Sequence, residues 1–220
     1  MIRTAPATLD VSRLRMWFEL VSKAIGEQRD QLTLLDAAIG DADHGANMDR
    51  GFNAVRRILA EYGDEATAGE IVCAAGSTLM STVGGASGAL WGTALRCAGE
   101  AVGEARELDA TMLSDALQAA LDGVVELGAA RVGDKTMVDA LDPTVASLRA
   151  AVAAGAGLEE ALWEALRAGE HGMRSTIPMQ AVKGRASYLG DRSVGHQDPG
   201  ATSTMIIVRG LAEALNAADD

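Results

Sequence analysis

Residues 40–51 hold a dense set of side chains that could do chemistry. They read Gly-Asp-Ala-Asp-His-Gly-Ala-Asn-Met-Asp-Arg-Gly and contain three aspartates, one histidine and three glycines. With the nearby Asp36, the residues Asp41 and Asp43 complete a local cluster of carboxylates. Hard cations prefer such oxygen ligands, and Mg²⁺ is usually held by a few carboxylates together with the phosphates of a substrate. The cluster therefore predicts a magnesium site that serves a nucleotide.

A second interpretation of these aspartates stays open, because acidic side chains also cap helices without any metal. Adjacent like charges favour the metal, since without a cation their repulsion raises their pKa values and costs stability. His44 follows the cluster directly. Its ring is expected either to donate to a phosphate or to serve as a structural hydrogen-bonding group.

A glycine-rich break at residues 84–88, Gly-Gly-Ala-Ser-Gly, separates two helix-like stretches and places Ser87 near a helix start. Backbone N–H groups at such a start, together with the helix dipole, can receive phosphate oxygens. A structural turn with a serine cap is the alternative. The break is therefore a candidate phosphate site that needs support from elsewhere in the chain.

Two further breaks carry polar side chains. Residues 133–137, Gly-Asp-Lys-Thr-Met, offer a cation and a hydroxyl beside a carboxylate. Lys135 could add positive charge near a nucleotide, or it could be a surface residue in a helix cap formed by Thr136 or Asp134. Residues 184–200 form a long stretch of polar residues and glycines. Long loops of this kind often act as lids or binding loops.

The segments between these breaks have helical periodicity, with apolar side chains every three or four residues. Two such stripes are Leu14, Trp17, Val21 and Ile25, and Met48, Phe52, Val55 and Leu59. Thr67 and Glu70 have the form of a capping box that opens a helix to about Val83, and Asp109 could cap a helix to about Arg131. Further helices are expected over about 86–104, 136–153, 158–177 and 200–217, with a short ninth stretch near 31–39. The prediction is an all-α fold in a single domain, residues 1–220.

Composition limits the possible partners. The chain has 19 basic and 31 acidic residues, a net charge of −12, which opposes the neutralisation of phosphates on which nucleic-acid binding depends. No apolar run approaches the roughly 20 residues needed to cross a bilayer, and the N-terminus lacks a signal-peptide pattern. Cys73 and Cys97 are expected to be buried free thiols in a reducing compartment. We expect a cytoplasmic protein, with a short β-branched run at residues 205–208 buried in the last helix.

Four of these stretches resemble the nucleotide-binding L subunit of bacterial dihydroxyacetone kinases, a unit that also forms the C-terminal domain of single-chain dihydroxyacetone kinases. They are Gly-Asp-Ala-Asp-His-Gly-Ala-Asn-Met, Gly-Gly-Ala-Ser-Gly-Ala-Leu-Trp-Gly-Thr, Gly-Asp-Lys-Thr-Met-Val-Asp-Ala-Leu-Asp-Pro and Gly-Arg-Ala-Ser-Tyr-Leu-Gly-Asp-Arg-Ser-Val-Gly-His-Gln-Asp-Pro-Gly-Ala-Thr-Ser. The resemblance covers nearly the whole chain, with the motifs in the family's order. It implies an antiparallel barrel of eight helices with the nucleotide at one end.

The resemblance also implies roles for individual residues. Asp36, Asp41 and Asp43 correspond to the family's ligands for two Mg²⁺ ions that bridge the phosphates of ADP or ATP. The other implied contacts are His44, Gly45, Ala46 and Asn47 in the phosphate site, Ala86 and Ser87 in the phosphate-contacting turn, Gly128 and Met137 in the nucleotide pocket, Arg185 in the closing loop, and Asp198, Pro199 and Gly200 at its distal end. The family commonly has a second small polar residue in place of Ala86, so only a backbone contact is expected there. His171 is expected to be structural.

The implied activity is half of a kinase. In the resembling family the keto-sugar is bound by a separate K subunit or domain, and this chain would supply the nucleotide and the γ-phosphate. In phosphotransferase-linked systems a phosphohistidine protein, the M subunit, recharges bound ADP, whereas ATP-dependent systems exchange the nucleotide. Two alternatives stay open. The chain could serve an ATP-dependent kinase for another keto-sugar such as erythrulose, or it could be a nucleotide-loaded regulatory module that binds a transcription regulator.

Overall fold

The computed structural model describes residues 8–217, and the first seven and last three residues of the predicted domain lie outside that range. The described part contains nine α-helices, one 3-10 helix and two strands of two residues each. The α-helices are α1 (Val11–Glu27), α2 (Arg29–Ile39), α3 (His44–Leu59), α4 (Ala68–Thr82), α5 (Gly85–Val102), α6 (Ala110–Gly128), α7 (Val138–Ala153), α8 (Leu158–Ser175) and α9 (Pro199–Asn216). The all-α prediction is confirmed.

Eight of the helices contact one another in a closed cycle. Helix α1 packs on α3, the helices from α3 to α9 each pack on the next one along the chain, and α9 packs back on α1. Helix α2 lies outside this cycle and contacts α3 and α9. Such a cycle is what an eight-helix barrel requires, although the relative directions of the helix axes stay a prediction.

The helix starts follow the capping signals. The capping box of Thr67 and Glu70 is formed in both directions at the start of α4. Asp109 caps α6 by accepting the backbone N–H of Met112 at 2.8 Å. The expected end of α6 near Arg131 is wrong, because Ala129 adopts a left-handed conformation with φ of 46° and the helix ends at Gly128. A left-handed residue cannot continue a right-handed helix.

Both predicted apolar stripes are buried in one core. The run at residues 205–208 is also buried and lies within α9, as expected. Trp17 of α1 donates its indole N–H to the backbone carbonyl of Ile207 in α9 at 2.9 Å. The first and last helices of the described chain are therefore joined by a buried hydrogen bond as well as by apolar contact.

Three features depart from the sequence interpretation. The long polar loop contains a 3-10 helix over Arg185–Ser193, interrupted at Gly190. Strand β1 (Leu9–Asp10) pairs antiparallel with strand β2 (Glu107–Leu108), although no strand was expected. Cys73 and Cys97 are free thiols, but they are only partly buried. Within residues 8–217, none of the helices combines the length and the apolar character that a membrane span needs.

Candidate functional site

The acidic cluster forms where α2 ends and α3 begins. Asp36, in the last turn of α2, is buried, and its Oδ2 accepts the backbone N–H groups of Asp43 at 2.9 Å and His44 at 3.1 Å. This carboxylate therefore holds the loop against the helix that precedes it. One carboxylate oxygen from each of Asp36, Asp41 and Asp43 lies within 4.8 Å of the others. The three aspartates that were neighbours in sequence are thus brought to one point.

Two glycines allow this close approach. A Cβ atom on Gly40 would lie 2.0 Å from the Oδ1 atom of Asp36, so a side chain there would displace this carboxylate. A Cβ atom on Gly45 would lie 2.0 Å from the backbone carbonyl oxygen of Arg29, which means that α3 crosses α2 at backbone contact. Between them, Ala42 has a positive φ of 63°, an uncommon conformation for a residue with a side chain. The loop is shaped to place carboxylates and leaves little freedom for substitution.

His44 bridges two serines. Its Nδ1 lies 3.1 Å from the hydroxyl of Ser87 in α5, and its Nε2 lies 3.0 Å from the hydroxyl of Ser203 in α9. Burial lowers the pKa of His44, against the opposing effect of Asp36 and Asp43. Since both ring nitrogens have hydroxyl partners, the geometry favours the structural role over direct donation to a phosphate. Through this bridge, the acidic loop is tied to the starts of two other helices.

The glycine-rich break becomes the start of α5, with Gly84 as the N-cap and Gly85 as the first helical residue. Ala86 and Ser87 follow in the first turn, where backbone N–H groups have no partner within the helix. Gly88 is packed so closely that a Cβ atom would lie 2.1 Å from the carbonyl oxygen of Val83. The turn therefore presents backbone donors next to the acidic cluster, as a phosphate site requires.

The start of α9 faces the same space. Asp198 is its N-cap and accepts the backbone N–H of Ala201 at 2.7 Å. The pKa of Asp198 is raised to about 7, chiefly by burial and in part by the nearby Asp139 and Asp36, while the Ala201 N–H and Lys135 oppose the shift. Pro199 and Gly200 form the first turn of the helix. The start of α9 thus borders the same cavity, but it offers few free donors, because Pro199 has no backbone N–H and the N–H groups of Ala201 and Thr202 already bond to Asp198.

These elements surround a cavity of about 420 Å³, a size typical of sites for small molecules and cofactors. The polar part of its lining comes from the acidic cluster and the two helix starts. The apolar part includes Ile39, Leu90, Trp91, Val124, Leu127, Ala130, Met137 and Val138. A ligand that combines charged phosphates with a flat apolar base would match both kinds of lining.

Most of the residues that were predicted from the sequence line this cavity. They are Asp36, Asp41, Asp43, His44, Ala86, Ser87, Gly128, Met137, Arg185, Asp198, Pro199 and Gly200. Gly45, Ala46 and Asn47 lie outside the lining. Gly45 packs on α2, and the amide oxygen of Asn47 accepts a hydrogen bond from Arg50 at 2.7 Å. The amide of Asn47 also lies beside Gly84, which lines the cavity, so the predicted phosphate-site role of these residues stays a prediction.

Arg185 reaches the acidic cluster from the 3-10 helix. Its Nε lies 3.0 Å from Oδ2 of Asp41, and both side chains keep contact with solvent. Lys183 also lines the cavity and was not singled out from the sequence. Ser203 was missed as well, although it lies three residues after Gly200 and so on the same face of α9 as a predicted site residue. The interpretation of Lys135 as a surface residue in a helix cap is wrong, because its side chain is buried.

The donor set fits a hard divalent cation. Three carboxylates within reach of one another supply oxygen ligands of the kind that Mg²⁺ uses, and the neighbouring backbone donors leave room for phosphate oxygens as additional ligands. Histidine is absent from the cluster itself, since both ring nitrogens of His44 are directed to serines. A zinc-type site would instead favour nitrogen and sulfur ligands.

The fold and the site together define a helical domain with an acidic metal-type cluster and paired helix starts around a nucleotide-sized cavity. Residues 38–213 match the DAK2 domain, and the chain belongs to this family. It is 43% identical over 207 residues to the ADP-binding subunit DhaL of the PEP-dependent dihydroxyacetone kinase of Escherichia coli (strain K12), covering 94% of this chain and 98% of that one. The resemblance seen in the four motifs is confirmed.

Other relatives extend the comparison. The ADP-binding subunit DhaL of the PTS-dependent dihydroxyacetone kinase of Lactococcus lactis is 36% identical, over 90% of this chain and 95% of that one. D-erythrulose kinase of Mycolicibacterium smegmatis is 34% identical, but this chain covers 34% of its length. The crystal structure of the dihydroxyacetone kinase from C. freundii in complex with AMP-PNP and Mg²⁺ has the same fold, with a TM-score of 0.71 at 24% identity, over 97% of this chain and 36% of that one.

Proposed function

We propose that this protein is the ADP- and ATP-binding subunit of a dihydroxyacetone kinase and that it transfers the γ-phosphate to a keto-sugar held by a separate K subunit. The observation that carries the proposal is the convergence of the three aspartates and two helix starts on one cavity, in a chain 43% identical to an ADP-binding DhaL subunit. Phosphoryl transfer needs positioning and charge stabilisation more than covalent chemistry. The site offers groups for both tasks.

Each part of the cavity has a task in this proposal. Asp36, Asp41 and Asp43 would hold two Mg²⁺ ions, which neutralise charge on the β- and γ-phosphates when bound. The first turn of α5 directs backbone N–H groups at the phosphate oxygens, and the N–H of Gly200 is the donor that the first turn of α9 can add. The apolar wall around Leu90 and Met137 excludes water from the base. Asp36 orients the loop by accepting two backbone N–H groups. The loop can therefore keep the carboxylates of Asp41 and Asp43 in place while the charge on the phosphates changes.

Arg185 supplies a solvent-exposed positive charge at the acidic cluster. Its guanidinium lies on Asp41, and its side chain is 69% exposed. Release from Asp41 would let it turn towards the transferring phosphate, where a cation stabilises the charge that develops in the transition state. The pairing with Asp41 thus holds the cation within reach of the reaction.

The phosphate donor in this proposal is a phosphohistidine M subunit that recharges ADP without its release. The relatives from Escherichia coli and Lactococcus lactis support this, because they are named PEP-dependent and PTS-dependent subunits. A second candidate is an ATP-dependent kinase for erythrulose, which is supported by the match to erythrulose kinases at 34% and 33% identity. A nucleotide-loaded module that binds a transcription regulator is the third.

Native mass spectrometry of the gently purified protein tests the proposal. The protein is measured before and after incubation with a K subunit, dihydroxyacetone and either ATP or a phosphorylated M subunit. An added mass of ADP with two Mg²⁺, and sugar phosphate formed only from the phosphorylated M subunit, are the expected results. Turnover with freely exchanging ATP would favour an ATP-dependent kinase, and bound nucleotide without product from either donor would favour the regulatory module.

A variant pair links the result to the acidic cluster. Asp41→Asn should abolish phosphoryl transfer, because it removes one of the charged oxygen ligands. Asp30→Asn is the matched control, since Asp30 is an exposed aspartate on α2 that lies outside the cavity lining. Unchanged turnover in Asp41→Asn would rule the kinase function out.

A further inference from the structure

Lys135 is one of the few buried charged residues in the described part of the chain. Its side chain is 1% exposed, and its Nζ donates to the backbone carbonyls of Thr176 at 2.8 Å, Met179 at 3.1 Å and His196. The carbonyl of Ile177 lies at 3.5 Å. An ammonium group has three N–H donors. All three are therefore taken by main-chain oxygens, and none is left for a phosphate.

The accepting carbonyls belong to two separate segments. Thr176 and Met179 follow the end of α8, where a cation is favoured by the helix dipole. His196 lies 17 to 20 residues later in the chain, just before α9 begins at Pro199. Residues 180–195 leave and return between these segments, and we call them the cover loop. Lys135 thus lies at the base of the cover loop and holds its two ends together.

Other hydrogen bonds join the same two ends. The N–H of Gly195 donates to the carbonyl of Ile177 at 2.8 Å, and the N–H of Asp198 donates to the hydroxyl of Thr176 at 3.0 Å. Within the cover loop, the buried hydroxyl of Ser193 accepts the N–H of Ala181 at 2.9 Å. The base of the loop is therefore an ordered, hydrogen-bonded unit with a buried cation at its centre.

The cover loop carries groups that face the cavity. Lys183, Gly184, Arg185 and Ala186 line it, and Arg185 reaches Asp41. The far end of the base leads directly into Asp198 and the first turn of α9, which line the cavity as well. The position of Arg185 and the position of the first turn of α9 therefore both depend on how the two ends of the loop are joined.

The conformation of Lys135 indicates that the surroundings impose its place. Its φ is 61°, in the left-handed region that side chains disfavour. Such strain persists where surrounding contacts over-determine the conformation. Burial also lowers the pKa of Lys135, and the neighbouring carboxylates of Asp198 and Asp139 oppose that shift. A solvent-exposed lysine would need neither the strained backbone nor the buried charge.

From these contacts we infer that Lys135 is a positioning residue: it fixes the base of the cover loop, and through it the placement of Arg185 and of the α9 start over the nucleotide. The inference rests on the proposed nucleotide site for its functional consequence. Without the ammonium, three main-chain carbonyls at the base lose their donor, and the two ends of the loop can separate while the helical core stays folded.

Limited proteolysis with trypsin tests this directly, because Lys183, Arg185 and Arg192 are cleavage sites within the cover loop. Lys135→Met keeps the length of the side chain but removes the charge and the donors. Cleavage after these residues should become at least about tenfold faster under conditions where circular dichroism shows an intact fold. Lys23→Met, at an exposed lysine of α1, is the matched control and should leave the cleavage rate unchanged.

Binding measurements separate positioning from general stability. By isothermal titration of the proteins with ADP and Mg²⁺, after bound nucleotide has been removed, the dissociation constant of Lys135→Met should rise at least about tenfold, while that of Lys23→Met stays at the wild-type value. A loop that resists trypsin and an unchanged dissociation constant in folded Lys135→Met would overturn the inference. A nucleotide-free wild-type protein that binds no added ADP would instead overturn the proposed function, and the proteolysis result would stand independently.

Hydrogen exchange of the wild-type protein provides a test that needs no variant. The amides of Gly195 and Asp198 at the base should exchange much more slowly than those of residues 185–192 at the exposed part of the loop. Equal, fast exchange in both regions would show that the base is not fixed and would overturn the inference. This measurement can therefore overturn the inference even where Lys135→Met does not fold.

Discussion

Arg185 lies on Asp41, with its Nε 3.0 Å from Oδ2 of that carboxylate, so a cation from the cover loop pairs with one of the three aspartates of the acidic cluster. The side chains are 69% and 35% exposed. Exposed pairs of this kind contribute only about 0–1 kcal/mol to stability. The pair therefore matters more for where the charges are held than for keeping the fold together.

Arg185→Gln should for this reason leave the free energy of unfolding nearly unchanged while phosphoryl transfer falls by about 10²–10³-fold, the usual effect of removing one group that stabilises transition-state charge. Urea unfolding and turnover with a K subunit are the measurements. Arg167→Gln is the control, because Arg167 is an exposed arginine that pairs with Glu164 at 4.0 Å on α8. Full turnover in Arg185→Gln would contradict the assigned role.

Gly45→Ala should destabilise the protein by about 1–3 kcal/mol, as over-packing does. The new Cβ atom would lie 2.0 Å from the carbonyl oxygen of Arg29, and backbone cannot move aside as a flexible side chain can. As α3 shifts from α2, Asp36 should lose its hold on the acidic loop, so Mg²⁺-dependent ADP binding should weaken as well. Gly63→Ala is the control, since a Cβ atom on Gly63 would meet no other atom within 4 Å. Equal unfolding midpoints for the two variants would refute this interpretation of the helix crossing.

Ser203→Ala should remove the hydroxyl partner of His44 Nε2 and leave a buried ring nitrogen without it. The cost of such a loss is about 1–3 kcal/mol. Urea unfolding should show this destabilisation. ADP binding should weaken as well, because a His44 ring that is held less firmly would no longer position Ser87, its other hydrogen-bond partner, in the first turn of α5. Ser81→Ala, at an exposed serine whose hydroxyl bonds to Thr78, is the control. A stability change no larger than that of the control would mean that the bridge contributes nothing.

The buried carboxyl of Asp198 predicts a pH dependence. Its pKa is raised from 3.8 to about 7 on folding, so the folded chain keeps a proton that the unfolded chain releases. The resulting contribution to stability is complete below about pH 4 and is lost as the pH rises towards 7. Asp198→Asn removes this titration. Relative to wild type, the variant should therefore gain about 1–3 kcal/mol between these pH values.

Urea unfolding of both proteins without divalent cations, at pH values below and above this window, measures the difference. Asp109→Asn is the control, because Asp109 is an N-cap of the same kind on α6 but is exposed. A constant difference between Asp198→Asn and wild type across the window would show that Asp198 titrates normally in the folded chain.

The sequence was sufficient for the helices because their signals are local. Apolar spacing predicted the stripes of α1 and α3. Thr67 and Asp109 predicted two helix starts, because each side chain accepts a backbone N–H only three residues further along the chain. The two-residue strands were missed, because a pairing of Leu9 with Leu108 depends on residues far apart in the chain and leaves no periodic pattern.

The candidate site was predictable to a similar degree. Asp36, Asp41 and Asp43 lie close in sequence, so the single turn between α2 and α3 is enough to bring their carboxylates together. The bridge from His44 to Ser203 spans 159 positions, and no local pattern announces it. Lys135 was undecided for the same reason, since its acceptors lie 41 to 61 positions away. Burial of a charge becomes visible only when distant carbonyls are seen to converge on it.

The hydrogen bond from Trp17 to the carbonyl of Ile207 has a consequence for the order of assembly during translation. The two groups are separated by 190 positions, and α1 finds its packing partner α9 at the opposite end of the described chain. While the ribosome is still producing the middle helices, the apolar face of α1 that α9 will cover must stay open. A nascent chain can therefore complete this core only after α9 has emerged, and until then the open face of α1 is a surface that a chaperone would have to shield.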